Sequence, residues 1–299
     1  MARIGGEQAP LGGGAGDPAT AVLRAVGPDR KGLVAVLADF VYRHGGNITH
    51  ADQHVDAEAG VFFQRVEFHL DGFGLGRDEI LPDLTPVTEP LGMRCEVRFS
   101  DEVARTAVLV TREAHCLYDL LARQAMGELQ AEIACVVANH PDLEDVAARF
   151  DVPFHHLPVT AATRVEQEGA LLDLLARERV DLVVLARYMQ ILTSRVIDAH
   201  AGRIINIHHS FLPAFLGGRP YHQAHERGVK LIGATAHYAT AQLDQGPIID
   251  QDVVRVSHRD GVADLVRKGR DLETVVLARA LTAHLEHRVL VHGRKTLVF

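Results

Sequence analysis

The sequence predicts an α/β protein in which a small α+β domain, residues 20–100, precedes a mostly parallel-sheet domain, residues 104–299. A chain of 299 residues is long enough for two domains of about 150 residues each. The order of periodic segments also changes near residue 105, from mixed strands and helices to strands alternating with longer helices. The composition, 47% hydrophobic and 23% charged, is that of an ordinary globular protein.

The first domain has the predicted order βαββαβ. Thr20–Val26 is a predicted strand, and Asp29 is expected to cap the helix that follows. Apolar residues of that helix recur at i, i+3, i+4 and i+7 from Leu33 onward, and Gly45 and Gly46 end it. The other predicted elements are strands at 47–56, 61–70 and 93–99, and a weaker helix at 78–90 that Pro82 and Pro86 interrupt.

In the second domain the strands are expected to form a mostly parallel sheet with helices on both faces. The predicted strands are 106–110, 132–138, 154–157, 182–186, 204–206, 231–237 and 248–256. The predicted helices are 117–125, 143–150, 165–179, 194–199 and 262–284. The segment after residue 206 is expected to be rich in loops until the strand at 231.

Composition excludes several classes of partner. A net charge of −8 argues against nucleic acid, which needs a basic surface. The longest apolar runs are six residues, Leu33–Ala38 and Ile133–Ala138, so no membrane partner is expected. Three cysteines are too few for a disulfide framework, and this favours a cytoplasmic protein. Residues 1–18 are glycine-rich, lack an apolar signal core and are predicted to be a disordered extension.

Asn206 and His208 lie two residues apart at the end of a predicted strand. Alternation places both side chains on one side, and the carboxyl ends of parallel strands face the ligand crevice. The alternative is a polar turn whose side chains satisfy local backbone groups.

His237 and Asp244 belong to a second polar segment, which ends in Asp244-Gln245-Gly246-Pro247. Asp-x-Gly-Pro is also ordinary turn chemistry. An amide, an imidazole and a carboxylate together, however, can polarise a carbonyl, stabilise an oxyanion and move protons.

These segments resemble the central motif of the N10-formyltetrahydrofolate-dependent formyl-transfer family, and the resemblance runs over residues 105–299. The residues that carry it are Asn206, His208, Ser210, Leu212, Pro213, His237, Asp244, Gly246 and Pro247. The resemblance implies a folate in the crevice and a catalytic trio of Asn206, His208 and Asp244. Asn206 and His208 are expected to hydrogen-bond the oxyanion, and Asp244 to orient or deprotonate the attacking water. Which of His208 and Asp244 performs each proton transfer stays open.

The same resemblance implies a substrate-binding loop at Arg187–Leu192 that holds the pterin ring by backbone groups. Its predicted members are Met189, Gln190, Ile191 and Leu192, with Met189 and Leu192 as apolar walls. The second half of the pterin site is expected from Tyr238–Asp244, with His237 orienting the Asp244 loop. The alternative for 187–192 is a strand end rich in core residues.

The loop Thr111–Cys116 decides the branch within the family. It has no glycine and carries Glu113, so a backbone cradle for an acceptor's phosphate is absent. This loop, the preceding domain and the stretch His208–Phe215 resemble the formyltetrahydrofolate deformylases. The resemblance implies an enzyme that hydrolyses 10-formyltetrahydrofolate to tetrahydrofolate and formate, balancing one-carbon folate pools for purine synthesis. Its expected reactants are 10-formyltetrahydrofolate and water, without cofactor or metal.

Other functions remain as alternatives: a formyltransferase with an amine acceptor, and a catalytically silent regulator that binds folate or amino acids. A Cys116 nucleophile beside His115 has less support, because adjacent helix residues do not face each other. A metal site at His222 and His225 lacks a third ligand in its motif.

Residues 20–100 are similar to an ACT domain, on the features Gly27–Gly32 and Gly45–Ile48. That similarity implies an amino-acid effector at paired interfaces, or equally a pure dimerisation module. A homo-oligomer is expected, because a free sheet edge and three aromatic residues, Phe62, Phe63 and Phe68, favour pairing of copies.

Overall fold

The structure is a computed structural model that describes residues 18–160, 162–214 and 220–299. The chain divides between Glu102 and Val103 into two compact units. The predicted disordered extension at 1–18 lies outside the described residues except for Pro18. No helix in the described ranges has the length and apolar character needed to cross a membrane.

The N-terminal unit has the predicted order βαββαβ. Its elements are β1 (Thr20–Pro28), α1 (Leu33–Arg43), β2 (Ile48–Asp56), β3 (Val61–His69), α2 (Arg77–Thr88) and β4 (Arg94–Phe99). The four strands form an antiparallel sheet in the order β2-β3-β1-β4. The two helices and the sheet enclose one apolar core, so the small α+β domain is confirmed.

Two local predictions in this unit were wrong. Asp29 does not cap α1: Gly32 precedes that helix at φ 94° without a side-chain cap, and the Asp29 amide donates to the Gly60 carbonyl at 2.8 Å. The second helix is not interrupted, because α2 continues through both prolines to Thr88. Ile80 and Leu84 of α2 are fully buried, and this burial offsets the cost of a proline inside a helix, about 3 kcal/mol.

The aromatic residues expected to favour self-association are not on the surface. Phe62 and Phe63 are each 3% exposed and Phe68 is 0% exposed, because β3 is an inner strand paired on both sides. That part of the self-association argument was wrong. The free sheet edge that was expected to favour pairing of copies is present: it is β2, most of whose residues are exposed.

The second unit is built on the predicted mostly parallel sheet. Its elements are β5 (Ala104–Val110), α3 (His115–Met126), β6 (Ala131–Ala138), α4 (Glu144–Ala148), β7 (Phe154–His156), α5 (Arg164–Arg177), β8 (Leu182–Leu185), α6 (Ser194–Ala199), β9 (Ile204–His208), α7 (Pro220–Arg227), β10 (Leu231–Tyr238), β11 (Ile248–Arg255), α8 (Val262–Leu285), β12 (Val289–His292) and β13 (Lys295–Val298). The sheet order is β11-β10-β9-β8-β5-β6-β7, and β12 pairs with β13 in a separate hairpin.

Strands β5 to β9 are parallel, whereas β10 runs antiparallel between β9 and β11. Residues of β5 are buried on both faces, Val108 toward α3 and α8 and Leu109 toward α5. The chain order of the parallel strands reverses at β5, so the crevice at their carboxyl ends is the expected ligand site. Helix α7 carries His222 and His225 on its exposed surface, as the alternative to a metal site predicted, but its bounds were not predicted, because Tyr221 and Ala224 are isolated apolar positions in a polar segment.

Candidate active site

Strand β9 carries Asn206 and His208 on one side, and β10 places His237 directly across from Asn206. His237 Nδ1 lies 3.0 Å from the Tyr238 carbonyl oxygen, which can only accept, so Nδ1 carries the hydrogen. His237 Nε2 then accepts a hydrogen bond from the Asn206 amide Nδ2 at 3.1 Å. His237 therefore fixes the plane of the Asn206 amide, which keeps a second N–H for another acceptor.

His208 and Asp244 form the second pair of the site. His208 Nδ1 lies 3.3 Å from Asp244 Oδ1, and His237 Nε2 lies 3.8 Å from the same oxygen. The hydrogen bond from His208 holds the pKa of the Asp244 carboxyl well below its usual range. His208 is 5% exposed, and its Nε2 has no hydrogen-bond partner among the described residues.

The loop between β10 and β11 positions Asp244 through a tight turn. Asp244 has φ 55°, a left-handed conformation that aspartate tolerates better than most residues. A Cβ at Gly246 would lie 1.7 Å from the Tyr238 carbonyl oxygen, so only glycine fits this approach. The Tyr238 amide closes the loop by donating to the Pro247 carbonyl at 2.9 Å.

The segment after β9 is held by Thr235 of β10, which is fully buried. Its hydroxyl donates to the Ser210 carbonyl at 2.8 Å and accepts from the Leu212 amide at 3.1 Å. Next to His208, burial lowers the pKa of His209 to about 4, and the charge of Arg187 adds to this shift. His209 is therefore neutral at physiological pH.

Asn206, His208, His237 and Asp244 line a crevice of about 210 Å³. Its walls are Leu185, Arg187, Tyr188, Met189, Gln190, Ile191, Leu192, Ile197, Asn206, Ile207, His208, His209, His237, Ala239, Thr240, Ala241, Leu243 and Asp244. The structure thus brings together every sequence-predicted site residue except Tyr238. The Tyr238 side chain lies in the core instead, where its hydroxyl is hydrogen-bonded to His284 Nδ1 at 2.7 Å.

The loop after β8, residues 187–192, is held from outside by other elements. Thr111 Oγ1 accepts from the Met189 amide at 2.9 Å, and Gln167 Nε2 donates to the Tyr188 hydroxyl at 3.3 Å. Glu168 of α5 accepts from both the amide and the hydroxyl of Thr193, at 2.9 and 2.5 Å. Met189 and Ile191 remain 54% exposed, as apolar walls open to a ligand.

A buried polar cluster that sequence reasoning missed adjoins the crevice. Glu273 of α8 is 1% exposed and accepts from His115 Nε2 at 2.8 Å and from the Tyr221 hydroxyl at 2.6 Å. Burial raises the pKa of Glu273, but the hydrogen bond from His115 and the charge of Arg187 outweigh it, and the pKa is lowered overall. The available signal was a carboxylate on the apolar stripe of α8, three residues before Val276.

His115, Cys116 and Glu273 place ligand atoms within 4.8 Å of one another, an arrangement that could hold a metal ion. The carboxylate oxygens already accept two hydrogen bonds, and burial raises the pKa of the Cys116 thiol well above its usual value. A protonated thiol is a poor ligand and a poor nucleophile. The absence of a metal from the reaction stays a prediction.

The fold and the site define a folate-type formyl-transfer enzyme, and residues 104–281 match the family described as formyl transferase. The formyltetrahydrofolate deformylase of Synechocystis sp. is 55% identical over 94% of this chain and 98% of its own length. The crystal structure of a formyltetrahydrofolate deformylase from Pseudomonas syringae pv. tomato is 47% identical, covers 95% of both chains and superposes with a TM-score of 0.92. The glycinamide ribonucleotide transformylase 1 of Symbiobacterium toebii, 34% identical with a TM-score of 0.63, covers 66% of this chain and 94% of its own. The chain belongs to the formyltetrahydrofolate deformylases, a family of hydrolases.

Proposed function

We propose that this chain hydrolyses 10-formyltetrahydrofolate to tetrahydrofolate and formate in the crevice at the ends of β8 and β9. The observation that carries the proposal is the placement of Asn206, His208 and Asp244 in one crevice, with His208 and Asp244 in contact at 3.3 Å. Water adds its oxygen to the formyl carbon, the bond from that carbon to N10 breaks, and N10 receives a proton. Formic acid releases its own proton to give formate.

The residues have separate tasks in this mechanism. The free N–H of the Asn206 amide donates to the oxyanion that forms on the formyl oxygen, while His237 holds the other N–H. Because its pKa is lowered, Asp244 stays ionised and is a weak base. Asp244 therefore orients the imidazole of His208, whose Nε2 takes the proton from water and returns it to N10.

Transfer to an amine acceptor is the second candidate, favoured by the similarity to a glycinamide ribonucleotide transformylase. The loop Thr111–Cys116 argues against it. Glu113 forms an ion pair with Arg270 at 2.5 Å, so a carboxylate stands where an acceptor's phosphate would need cations or free amides.

The test is formate release from purified 10-formyltetrahydrofolate, with and without a chelator. Wild type is expected to release formate in both conditions, and Asp244→Asn, His208→Ala and Asn206→Ala are each expected to lose about 10² to 10³ in rate while still binding tetrahydrofolate. Asp173→Asn, an exposed carboxylate on α5, is the control and should match wild type. Wild-type activity in Asp244→Asn would overturn the mechanism, and acceptor-dependent turnover would favour transfer.

We also propose the setting of the reaction: a cytoplasmic, self-associating enzyme whose formate and tetrahydrofolate feed one-carbon balance for purine synthesis. Three free thiols fit a reducing compartment. The exposed edge strand β2 supports pairing between copies, and the ACT-like fold of the N-terminal unit supports an amino-acid effector there. Sedimentation of the intact chain tests the self-association, and formate release titrated with amino acids tests the effector.

A further inference from the structure

A second cavity, of about 240 Å³, adjoins the catalytic crevice. Arg187, Met189 and His209 line both spaces. The ring centroids of His208 and His209 are 5.2 Å apart, and those of His209 and Tyr221 are 6.1 Å apart. The His209 ring therefore lies between His208 in the crevice and Tyr221 in the second cavity.

Arg187 has an unusual backbone for a residue with a long side chain. Five residues other than glycine have positive φ in the described part of the chain. Asp151, Arg179 and His287 follow helices, where a left-handed residue is the normal ending. The other two, Arg187 at φ 65° and Asp244 at φ 55°, both line the crevice. Strained conformations of this kind cluster at active sites and ligand clamps.

The Arg187 guanidinium is buried beside Glu273, and two of its three nitrogens make no hydrogen bond among the described residues. Its side chain is 14% exposed, and Nε lies 3.4 Å from Glu273 Oε2. Nε and Nη1 are buried without a hydrogen-bond partner among the described residues. The oxygens of Glu273 are already occupied by His115 and Tyr221. Glu273 therefore balances the charge of Arg187. The N–H groups on Nε and Nη1 of Arg187 stay available for another acceptor.

We propose that the second cavity binds the product formate, with Arg187 as the anchor for its carboxylate, an inference that rests on the proposed function. Formate is the one small anion that the reaction makes, and a guanidinium offers paired donors that match a carboxylate. Neutral His209 adds no competing charge at the passage. Formate thus leaves through the second cavity while tetrahydrofolate still fills the crevice.

The test uses formate as an inhibitor of the full-length enzyme at constant ionic strength. Arg187→Met removes the anchor and is expected to weaken inhibition by formate at least tenfold. Glu273→Gln removes the opposing negative charge and is expected to strengthen it severalfold. Arg279→Met, on the same helix as Glu273 but ion-paired to Asp250 and Asp252, is the control and should keep the wild-type formate constant.

Opposite shifts of the formate inhibition constant in Arg187→Met and Glu273→Gln support the site, because damage to the fold would change both constants in the same direction. An unchanged constant in Arg187→Met, or weaker inhibition in both variants, would overturn it. Should Arg187→Met fold poorly, Arg187→Met/Glu273→Gln removes both buried charges and should bind formate as weakly as expected for Arg187→Met. Titration of the enzyme with ¹³C-formate, without substrate, measures formate binding independently of hydrolysis. A wild type that binds formate but releases none from 10-formyltetrahydrofolate would contradict the proposed function and leave the formate site intact.

Discussion

At Asn206 the useful group is an amide nitrogen with two hydrogens, one of which His237 accepts. His237 is a positioning residue in this scheme, since it acts through Asn206 and through the Asp244 loop. We expect His237→Leu to lower kcat about tenfold, with little change in KM, because an unheld amide must be ordered in each turnover. His237→Gln, whose Oε1 can accept the same hydrogen, should recover part of the loss. Steady-state kinetics of both variants test this, and an equal loss in both would contradict it.

His209 supplies a dependence of stability on pH. Its pKa is lowered from 6.5 to about 4 in the folded protein, so between these values the unfolded chain binds the additional proton. Stability from this group is full above pH 6.5 and falls as the pH drops toward 4, by at most about 1.4 kcal/mol per pH unit. Urea unfolding at pH 4.5, 5.5 and 7 should show a shallower pH dependence in His209→Gln than in wild type. Equal slopes would show that His209 does not carry the effect.

At the scale of elements, Glu168 of α5 holds the start of α6 and thereby the end of the substrate loop 187–192. The Glu168 carboxylate is 4% exposed and accepts two hydrogen bonds from Thr193, at the start of α6. We expect Glu168→Ala to cost about 1 kcal/mol of stability and to raise KM for the folate severalfold, because two half-buried donors of Thr193 lose their acceptor. Glu166→Ala, exposed on the same helix, is the control. Chemical unfolding and kinetics measure the two effects, and a wild-type KM would show that the loop holds its shape unaided.

The periodic elements were predictable because burial imposes the pattern that the sequence displays. Strands buried on both faces, such as β5 and β6, appear as apolar runs, and α8 shows a helical stripe. The bounds of α7 and the hairpin β12–β13 were not predicted, since α7 buries few apolar positions and each strand of the hairpin has four residues. Local patterns cannot show support that comes from distant elements.

In the candidate site, too, residues in local motifs were predictable and contacts between distant elements were not. Asn206, His208 and Asp244 were found because they stand in short motifs at predicted strand ends. The contact of Glu273 with Arg187 joins residues 86 positions apart on α8 and on the loop after β8, so no local pattern reports it. A buried carboxylate on an apolar helix stripe was the one signal, and it does not name its partner.

For the whole molecule, the division between hydrolysis and transfer rests on what surrounds the formyl group. On the acceptor side stand two carboxylates: Glu113, which is ion-paired with Arg270 at 2.5 Å, and the buried Glu273. A phosphate with a charge near −2 would have to displace them, whereas water needs no such site.

We therefore expect formate release to continue at an unchanged rate when glycinamide ribonucleotide is added, with no formylated ribonucleotide formed. The measurement uses 10-formyltetrahydrofolate labelled at the formyl carbon and follows the label into formate or ribonucleotide. The glycinamide ribonucleotide transformylase 1 of Symbiobacterium toebii provides the positive control in the same assay. Label in the ribonucleotide with this chain would mean that the carboxylates leave room for a phosphate, and that the loop Thr111–Cys116 does not select water.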